Sequence, residues 1–300
     1  MKVYLLSLVL AIWACDERGP RSREFDSAKA MGYVQAQMAF GPRIPNSDGH
    51  RKTGDWLLEQ LKTRADTVVV QPINHVTLRG DTLHLRNFVA RFNPTASERV
   101  LYLAHWDTRP KADQSPNLGD QQLPVPGAND GASGVAILLG VADALKAKPA
   151  ALGVDLLFVD GEDYGDFTAD KDVLIGSRYY AQHPLGGNKP LFAVLFDLVA
   201  DKDLQILQEG NSATNAPEVV ERVWTKADEM GYGKYFRPTV GYTLTDDHVS
   251  LQQAGIRAID VVDFNYGPNN GYWHTTQDTL DKVSAASLQI VGDVAMGLLR

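Results

Sequence analysis

The stretch that most constrains this chain is residues 99–145, where an apolar strand over 100–104 opens into a long polar loop and closes on a helix of small and branched apolar residues. The loop holds His105, Asp107 and Asp130, and Asp130 runs directly into Gly131-Ala132-Ser133-Gly134. A carboxylate at the end of such a loop, just before a helix, can be pointed into the crevice beyond the strand ends, where open α/β sheets keep their sites. Two other segments are spaced to meet it: Asp160-Gly161-Glu162-Asp163 after the apolar run 154–159, and His274 in Tyr272-Trp273-His274-Thr275. Two acidic positions and a histidine, each at a strand end or in the loop beyond, make a candidate zinc site.

The rest of the chain alternates. Helical spacing of apolar residues covers 25–40 and stops at Gly41-Pro42, and a second helix over 47–61 turns Trp56, Leu57, Leu58 and Leu61 inward. Residues 68–76 and 82–92 alternate apolar and polar around Arg79-Gly80-Asp81, the pattern of a hairpin at a sheet edge. Strands are expected at 100–104, 154–159, 192–198, 204–208 and 256–262. Helices are expected at 131–147, 177–182, 217–230, 247–254 and 285–299. The central strands are continuous apolar runs, as in strands covered on both faces. The expectation is a single-domain, three-layer α/β sandwich, its mixed, mostly parallel twisted sheet flanked by helices and antiparallel at one edge. No linker divides it.

Length and charge narrow the class. A chain of 300 residues with 44% hydrophobic content fits one large domain. A net charge of −8 argues against nucleic acid as a partner, which needs clustered Lys and Arg. Lys2 precedes an apolar run over 3–14, too short for a permanent membrane span, and the run ends at Cys15, the only cysteine. Ile12-Trp13-Ala14-Cys15 is similar to a bacterial lipoprotein cleavage box; the competing reading is a simple secretory signal with a chance cysteine. The expected division is a signal peptide (1–14), a tether after a lipidated Cys15 (15–24) and a catalytic domain (25–300). The product would be periplasmic or membrane-anchored, touching membrane only through the lipid. An exported chain without a second cysteine has no internal disulfide, so its core must supply the stability.

The strand ends are crowded with acid: Asp107, Asp130, Asp160, Glu162, Asp163, Asp197, Asp246, Asp247, and Asp260 or Asp263. So many carboxylates at one crevice repel one another unless a cation or shared protons hold them. Zinc accepts carboxylate and imidazole in a tetrahedral shell, and catalytic sites keep three protein ligands and an open position. Asp130, Asp163 and His274 would supply that shell. Taken singly, Asp130 is equally a helix N-cap and His274 a buried structural histidine. The joint pattern is what points to a metal.

The ordered motifs carry a resemblance. They are Phe40-Gly41-Pro42-Arg43-Ile44-Pro45, His105-Trp106-Asp107-Thr108-Arg109, 124–133 (PVPGANDGAS), Asp160-Gly161-Glu162-Asp163-Tyr164-Gly165, Thr245-Asp246-Asp247-His248 and Tyr272-Trp273-His274-Thr275. From about Phe25 to the C-terminus the chain resembles the M28 zinc peptidase superfamily, and within it the glutaminyl cyclase branch in its bacterial zinc-dependent form. The resemblance implies that Asp130, Asp163 and His274 hold zinc and that Glu162 is the general acid/base. It implies that Asp197 and Asp246 hold that glutamate by hydrogen bonds and that Trp273 lines the substrate pocket. Two positions depart from the animal cyclases: Asp163 stands where they carry a second glutamate, and Asp260 stands in place of a histidine of their proton network.

Two activities compete. In a cyclase, a peptide or protein with N-terminal Gln closes on itself to pyroglutamate and releases ammonia, and one zinc ion suffices. In a di-zinc aminopeptidase, His105 and Asp197 complete a second site that shares Asp130, and Glu162 activates a bridging water. The Asp246-Asp247-His248 triplet, Trp273 beside His274 and the run from Glu162 to Gly165 favour the cyclase through resemblance. A metal-free peptide-binding lipoprotein is a third reading, weakened because no ligand position is missing. Gly131-Ala132-Ser133-Gly134 is followed by Val135, so it is not a serine-hydrolase elbow. No Walker or dinucleotide glycine pattern is present. His50, His75, His84 and His183 read as surface or loop residues, His248 as a satisfied structural histidine, and Trp106 and Trp224 as core.

Overall fold

The computed structural model describes residues 24–185 and 189–300. The expected signal peptide, Cys15 and nearly all of the tether lie outside the described residues. Among those described, no helix is long and apolar enough to cross a membrane.

The sheet follows from the apolar runs. Six strands lie in the order β1 (Thr67–Val76), β2 (Thr82–Phe92), β4 (Gly153–Val159), β3 (Arg99–His105), β5 (Ala193–Asp197) and β8 (Ala258–Val262). The last four are mutually parallel, while β1 and β2 form the antiparallel edge. Strands β3, β4, β5 and β8 are buried at every position. That is the burial expected of strands roofed by helices on both faces.

Alternate residues of β3 feed the two roofs. Val100, Tyr102 and Ala104 join the core beneath α1 (Ser27–Ala39), α3 (Ala132–Ala147) and α8 (Ala285–Gly297). Leu101 and Leu103 join the opposite core with Tyr180 of α4 (Ile175–Gln182) and Leu251 of α7 (Asp247–Gln253). The architecture is therefore a three-layer sandwich. Helix α2 (Asp48–Lys62) starts where Ser47 accepts from the His50 amide at 3.1 Å, a side-chain N-cap. Helix α1 starts two residues later than expected, capped by Asp26, and Phe25 is core instead.

Three elements depart from the reading of the sequence. Strand β6 (Ile206–Gln208) leaves the main sheet to pair with an unexpected strand, β7 (Phe236–Val240), in a small parallel ribbon. A short helix, α5 (Gly210–Asn215), precedes α6 (Pro217–Glu229). Four of the five β7 residues are exposed and one is proline, so the strand carries no apolar alternation to announce it.

The order of connections places the site. The chain crosses from β3 through α3 to β4 on one side, then returns through α4 to β5 on the other. The carboxyl ends of β3 and β5 thus flank the switch in direction, where a crevice forms. Helix α3 reaches that crevice because Gly134 lies against β5; any Cβ there would collide with the Phe196 carbonyl oxygen.

Candidate metal centre

The strand ends deliver the side chains singled out above. His105 closes β3, Asp197 closes β5, Glu162 and Asp163 follow β4, Asp130 precedes α3, and His274 comes from the loop after β8. Asp130 does not cap its helix: Gly131 occupies that position without a side-chain bond. Its carboxylate turns to the crevice instead. Oδ2 lies 3.6 Å from His274 Nε2 and Oδ1 lies 3.1 Å from His105 Nε2. Asp163 Oδ2 is 3.4 Å from His274 Nε2.

Two groups of buried side chains could hold a cation, Asp130–Asp163–His274 and His105–Asp130–Asp197. The atoms of the first are spaced for zinc. Zinc bonds of about 2.0–2.2 Å around a tetrahedron imply ligand-to-ligand edges of roughly 3.3–3.6 Å, and the two measured separations fall there. Asp163 also carries a vacancy of bonding: Arg109 donates to Oδ1 at 2.5 Å, while the buried Oδ2 has no hydrogen-bond partner. Buried carboxylate oxygens without partners are costly, so one aimed at an imidazole and a second carboxylate fits a cation. In the second group the imidazole is closer, with His105 Nε2 3.2 Å from Asp197 Oδ1 and hydrogen-bonded to it.

A layer of buried acids fixes the backbones that carry these side chains. Asp278 accepts from the amides of Asn129 (2.8 Å) and Asp130 (3.2 Å) and from the Tyr266 hydroxyl (2.7 Å). Asp107 accepts from the amides of Glu162 (3.1 Å) and Asp163 (3.2 Å). Arg43, fully buried, donates to the carbonyls of Pro126 (2.9 Å), Gly127 (2.7 Å) and Trp106 (3.3 Å). Arg109 spans Asp113 and Asp163. Neither Asp278 nor the clamping parts of Asp107, Arg43 and Arg109 emerged from the sequence. An Arg within a Gly-Pro-Arg run and an Asp far downstream carry no local signal for such work.

Not every strand-end acid joins the crevice. Asp160 pairs with His50 Nε2 at 2.9 Å and accepts from the Arg86 amide at 2.7 Å. His50 is consequently a buried residue stacked on Trp106 at 4.3 Å, not a surface one. His75 is half-buried against Asp172, and His84 and His183 are exposed, as expected. Asp263 accepts from the amides of Gln205 and Asn265. His248 is buried, 3.1 Å from Glu209 Oε2.

The remaining acids crowd Glu162. Burial, together with the charges of Asp163, Asp246 and Asp247, pushes the Glu162 carboxyl well above the usual carboxylate range, although His105 pulls the other way. Burial also raises Asp246, Asp247 and Asp260, and it lifts Asp197 to about 7. Burial disfavours charge on His105, but Glu162, Asp107, Asp130 and Asp197 outweigh it and hold the imidazole pKa well above its ordinary value. A dication on the ligands would draw these acids down, so the balance describes the ion-free site.

Glu162, Asp130, Asp197 and Asp246 open onto one pocket of about 580 Å³. Its far wall is aromatic: Trp273 stacks on His274 at 3.8 Å and meets Phe264 edge-on at 4.9 Å.

A model of Peptidase family M28 matches residues 87–299. The chain belongs to peptidase family M28. Among solved structures, Porphyromonas gingivalis glutaminyl cyclase superposes with a TM-score of 0.88 at 36% identity, covering 93% of this chain and 99% of that one. A leucine aminopeptidase precursor from Bacteroides thetaiotaomicron superposes with a TM-score of 0.87 at 35% identity, covering 92% and 97%. The glutaminyl-peptide cyclotransferase of Drosophila melanogaster is 23% identical over 272 residues, 82% of this chain and 73% of that protein. This M28 chain is thus an enzyme of a zinc-dependent family, with glutaminyl cyclases and aminopeptidases both among its relatives.

Proposed function

We propose that the protein is a zinc-dependent glutaminyl-peptide cyclotransferase, which converts the N-terminal Gln of peptides or proteins to pyroglutamate and releases ammonia. The observation that supports it best is the difference between the two buried triads. His274 lies 3.6 Å from Asp130 and 3.4 Å from Asp163, separations that would suit two ligand edges around zinc, whereas His105 sits at hydrogen-bond distance from Asp130 and Asp197. One ion with an open position fits a reaction whose nucleophile is the substrate's own amine. Hydrolysis through a bridging water asks for two. When bound to Asp130, Asp163 and His274, zinc would supply Lewis-acid polarisation of the substrate's side-chain amide.

The protein's own groups supply the rest. The acid-lined pocket attracts the substrate's α-ammonium, and the Trp273–Phe264 wall offers an apolar surface for the methylenes of the glutaminyl side chain. Holding amine against amide makes the attack intramolecular, which replaces a large entropic barrier. The bound ammonium first yields one proton to solvent, since only the neutral amine carries a lone pair, and Glu162 then takes one proton from the α-amine as its nitrogen bonds to the side-chain carbonyl carbon. The same carboxyl then returns that proton to the departing nitrogen as the carbon–nitrogen bond breaks, so ammonia leaves and the base is regenerated. The charge of Asp246 raises the proton affinity of Glu162, keeping its carboxyl basic enough to accept from an amine. Asp197 faces the same pocket and holds His105.

The convergence of His105, Asp130 and Asp197 favours a second reading, the di-zinc aminopeptidase. Titrating zinc into chelator-stripped protein separates the two. Ammonia release from a Gln-peptide should saturate at one ion per chain. Saturation only at two ions, with free leucine from a Leu-peptide, would transfer the assignment to the second reading.

A further inference from the structure

Beside the acidic pocket lies a second cleft of about 360 Å³, which shares Arg109, Asp113, Gly165 and Asp166 with it. Its lining is mixed in charge rather than acidic, with more cations than carboxylates. Arg79, Arg109, Lys111 and Lys171 line it against three carboxylates, Asp113, Asp166 and Asp172. The carboxylates are already engaged. Asp113 is held by both arms of Arg109 (3.0 and 2.6 Å), Asp172 by His75 (2.8 Å) and the Leu78 amide (3.1 Å), and Asp166 by the Ala169 amide (3.0 Å). Arg79, Lys111 and Lys171 are exposed, and none has an ion-pair partner among the described residues. In a chain of net charge −8, three free cations around one concavity that opens onto the catalytic pocket are a departure from the surface at large.

We infer that this cleft receives the residues following the N-terminal one of the substrate, and that it selects peptides with acidic side chains in that segment. The inference rests on the cyclase reading of the neighbouring pocket. A polypeptide whose first residue reacts must leave the pocket along its rim, and Gly165-Asp166 is the rim the two cavities share. The substrate would then be matched end to end, its α-ammonium toward the carboxylates around Glu162 and its acidic side chains toward Arg79, Lys111 and Lys171. Such complementarity selects partners and aids encounter more than it adds affinity.

The test compares three amidated peptides, Gln-Ala-Glu-Glu, Gln-Ala-Ala-Ala and Gln-Ala-Lys-Lys, by initial rates of ammonia release from the zinc-loaded protein. Two exposed pairs at the usual strength, set against two like-charge contacts in the lysine peptide, should give the glutamate peptide roughly tenfold higher kcat/KM than the lysine peptide. The difference should sit in KM, because contacts remote from the reacting atoms bind ground and transition states alike. It should vanish as ionic strength rises from about 0.01 M to about 1 M, where the screening length shrinks from about 30 Å to about 3 Å. The double variant Arg79→Glu/Lys171→Glu should reverse the order, and Lys111→Glu alone should halve the preference or more. Equal rates for the three peptides, or an order the charge reversals do not change, would overturn the inference and leave the cyclase standing. No ammonia from any of them would instead remove the cyclase reading, and this inference with it.

Discussion

At the scale of the residue, Glu162 is the group on which the proposed chemistry turns, and its surroundings make two predictions. Glu162→Gln keeps the shape and removes the proton carrier. Turnover of a Gln-peptide should fall by about 10²–10⁴-fold, the usual weight of general acid–base catalysis, with zinc content unchanged by metal analysis. The second concerns pH. A base must be deprotonated to act, so the acid limb of kcat/KM follows the Glu162 pKa, which bound zinc draws down from its ion-free position and which burial and the charges of Asp163, Asp246 and Asp247 push up. Asp246→Asn deletes one of those charges while its amide oxygen can still cap α7, a bond Asp246 makes to the Asp247 amide. Removing a like charge lowers the pKa, so the acid limb should move to lower pH. A limb that stays in place would show that Asp246 does not act on Glu162 through charge.

At the scale of the element, the site depends on backbones locked from behind. Asp278 holds two consecutive amides at the start of the Asp130 turn. In Asp278→Asn one of the two acceptors becomes a donor and faces an N–H. Zinc affinity, measured by competition with a chelator, should weaken by about 10–100-fold, as for other groups that orient metal ligands. Gly134 sets the distance between α3 and β5. Gly134→Ala forces its Cβ on the Phe196 carbonyl and within 2.9 Å of the Ala104 side chain. Denaturant unfolding should show a loss of about 1–3 kcal/mol, the cost of overpacking a filled core.

These elements also mark what the chain discloses. The strand–loop–helix of β3 and α3 is legible because uninterrupted apolar runs have one interpretation in a sheet covered on both faces. The acids of the crevice are legible because they sit at strand ends. Asp278 is not, since nothing near it in the sequence distinguishes it from a loop aspartate; only the fold brings it under residues 129–130. His50 misleads for a related reason. It lies in the polar first turn of α2, and its buried partner, Asp160, comes from a strand end more than a hundred residues away. Strand β7 and helix α5 are short and polar, and they form through pairing with neighbours rather than through patterning of their own.

At the scale of the whole molecule, the metal is expected to be part of the stability. Three aspartates and two histidines of the candidate cation groups meet in a buried crevice, and a cation bound only by the native state stabilises by mass action. At a hundredfold excess over Kd that contribution is about 2.7 kcal/mol, so chelation should lower the melting midpoint by roughly 5 °C or more. An unchanged midpoint after verified zinc removal would mean that the crevice is held without an ion. The sheet carries the two halves of the site on separate strand ends, and its rigidity sets the separation between them. The acidic pocket and the mixed-charge cleft beside it share Gly165 and Asp166.

The central claim is that an amine belonging to the substrate, and not a water molecule, attacks beside Glu162. Its most direct test is to give the zinc-loaded protein a Gln-peptide and a Leu-peptide of otherwise identical sequence and to follow both by mass spectrometry and ammonia release. The Gln-peptide should lose one ammonia with its chain intact, while the Leu-peptide is left untouched. Free leucine from the second peptide, with no ammonia from the first, would contradict that claim.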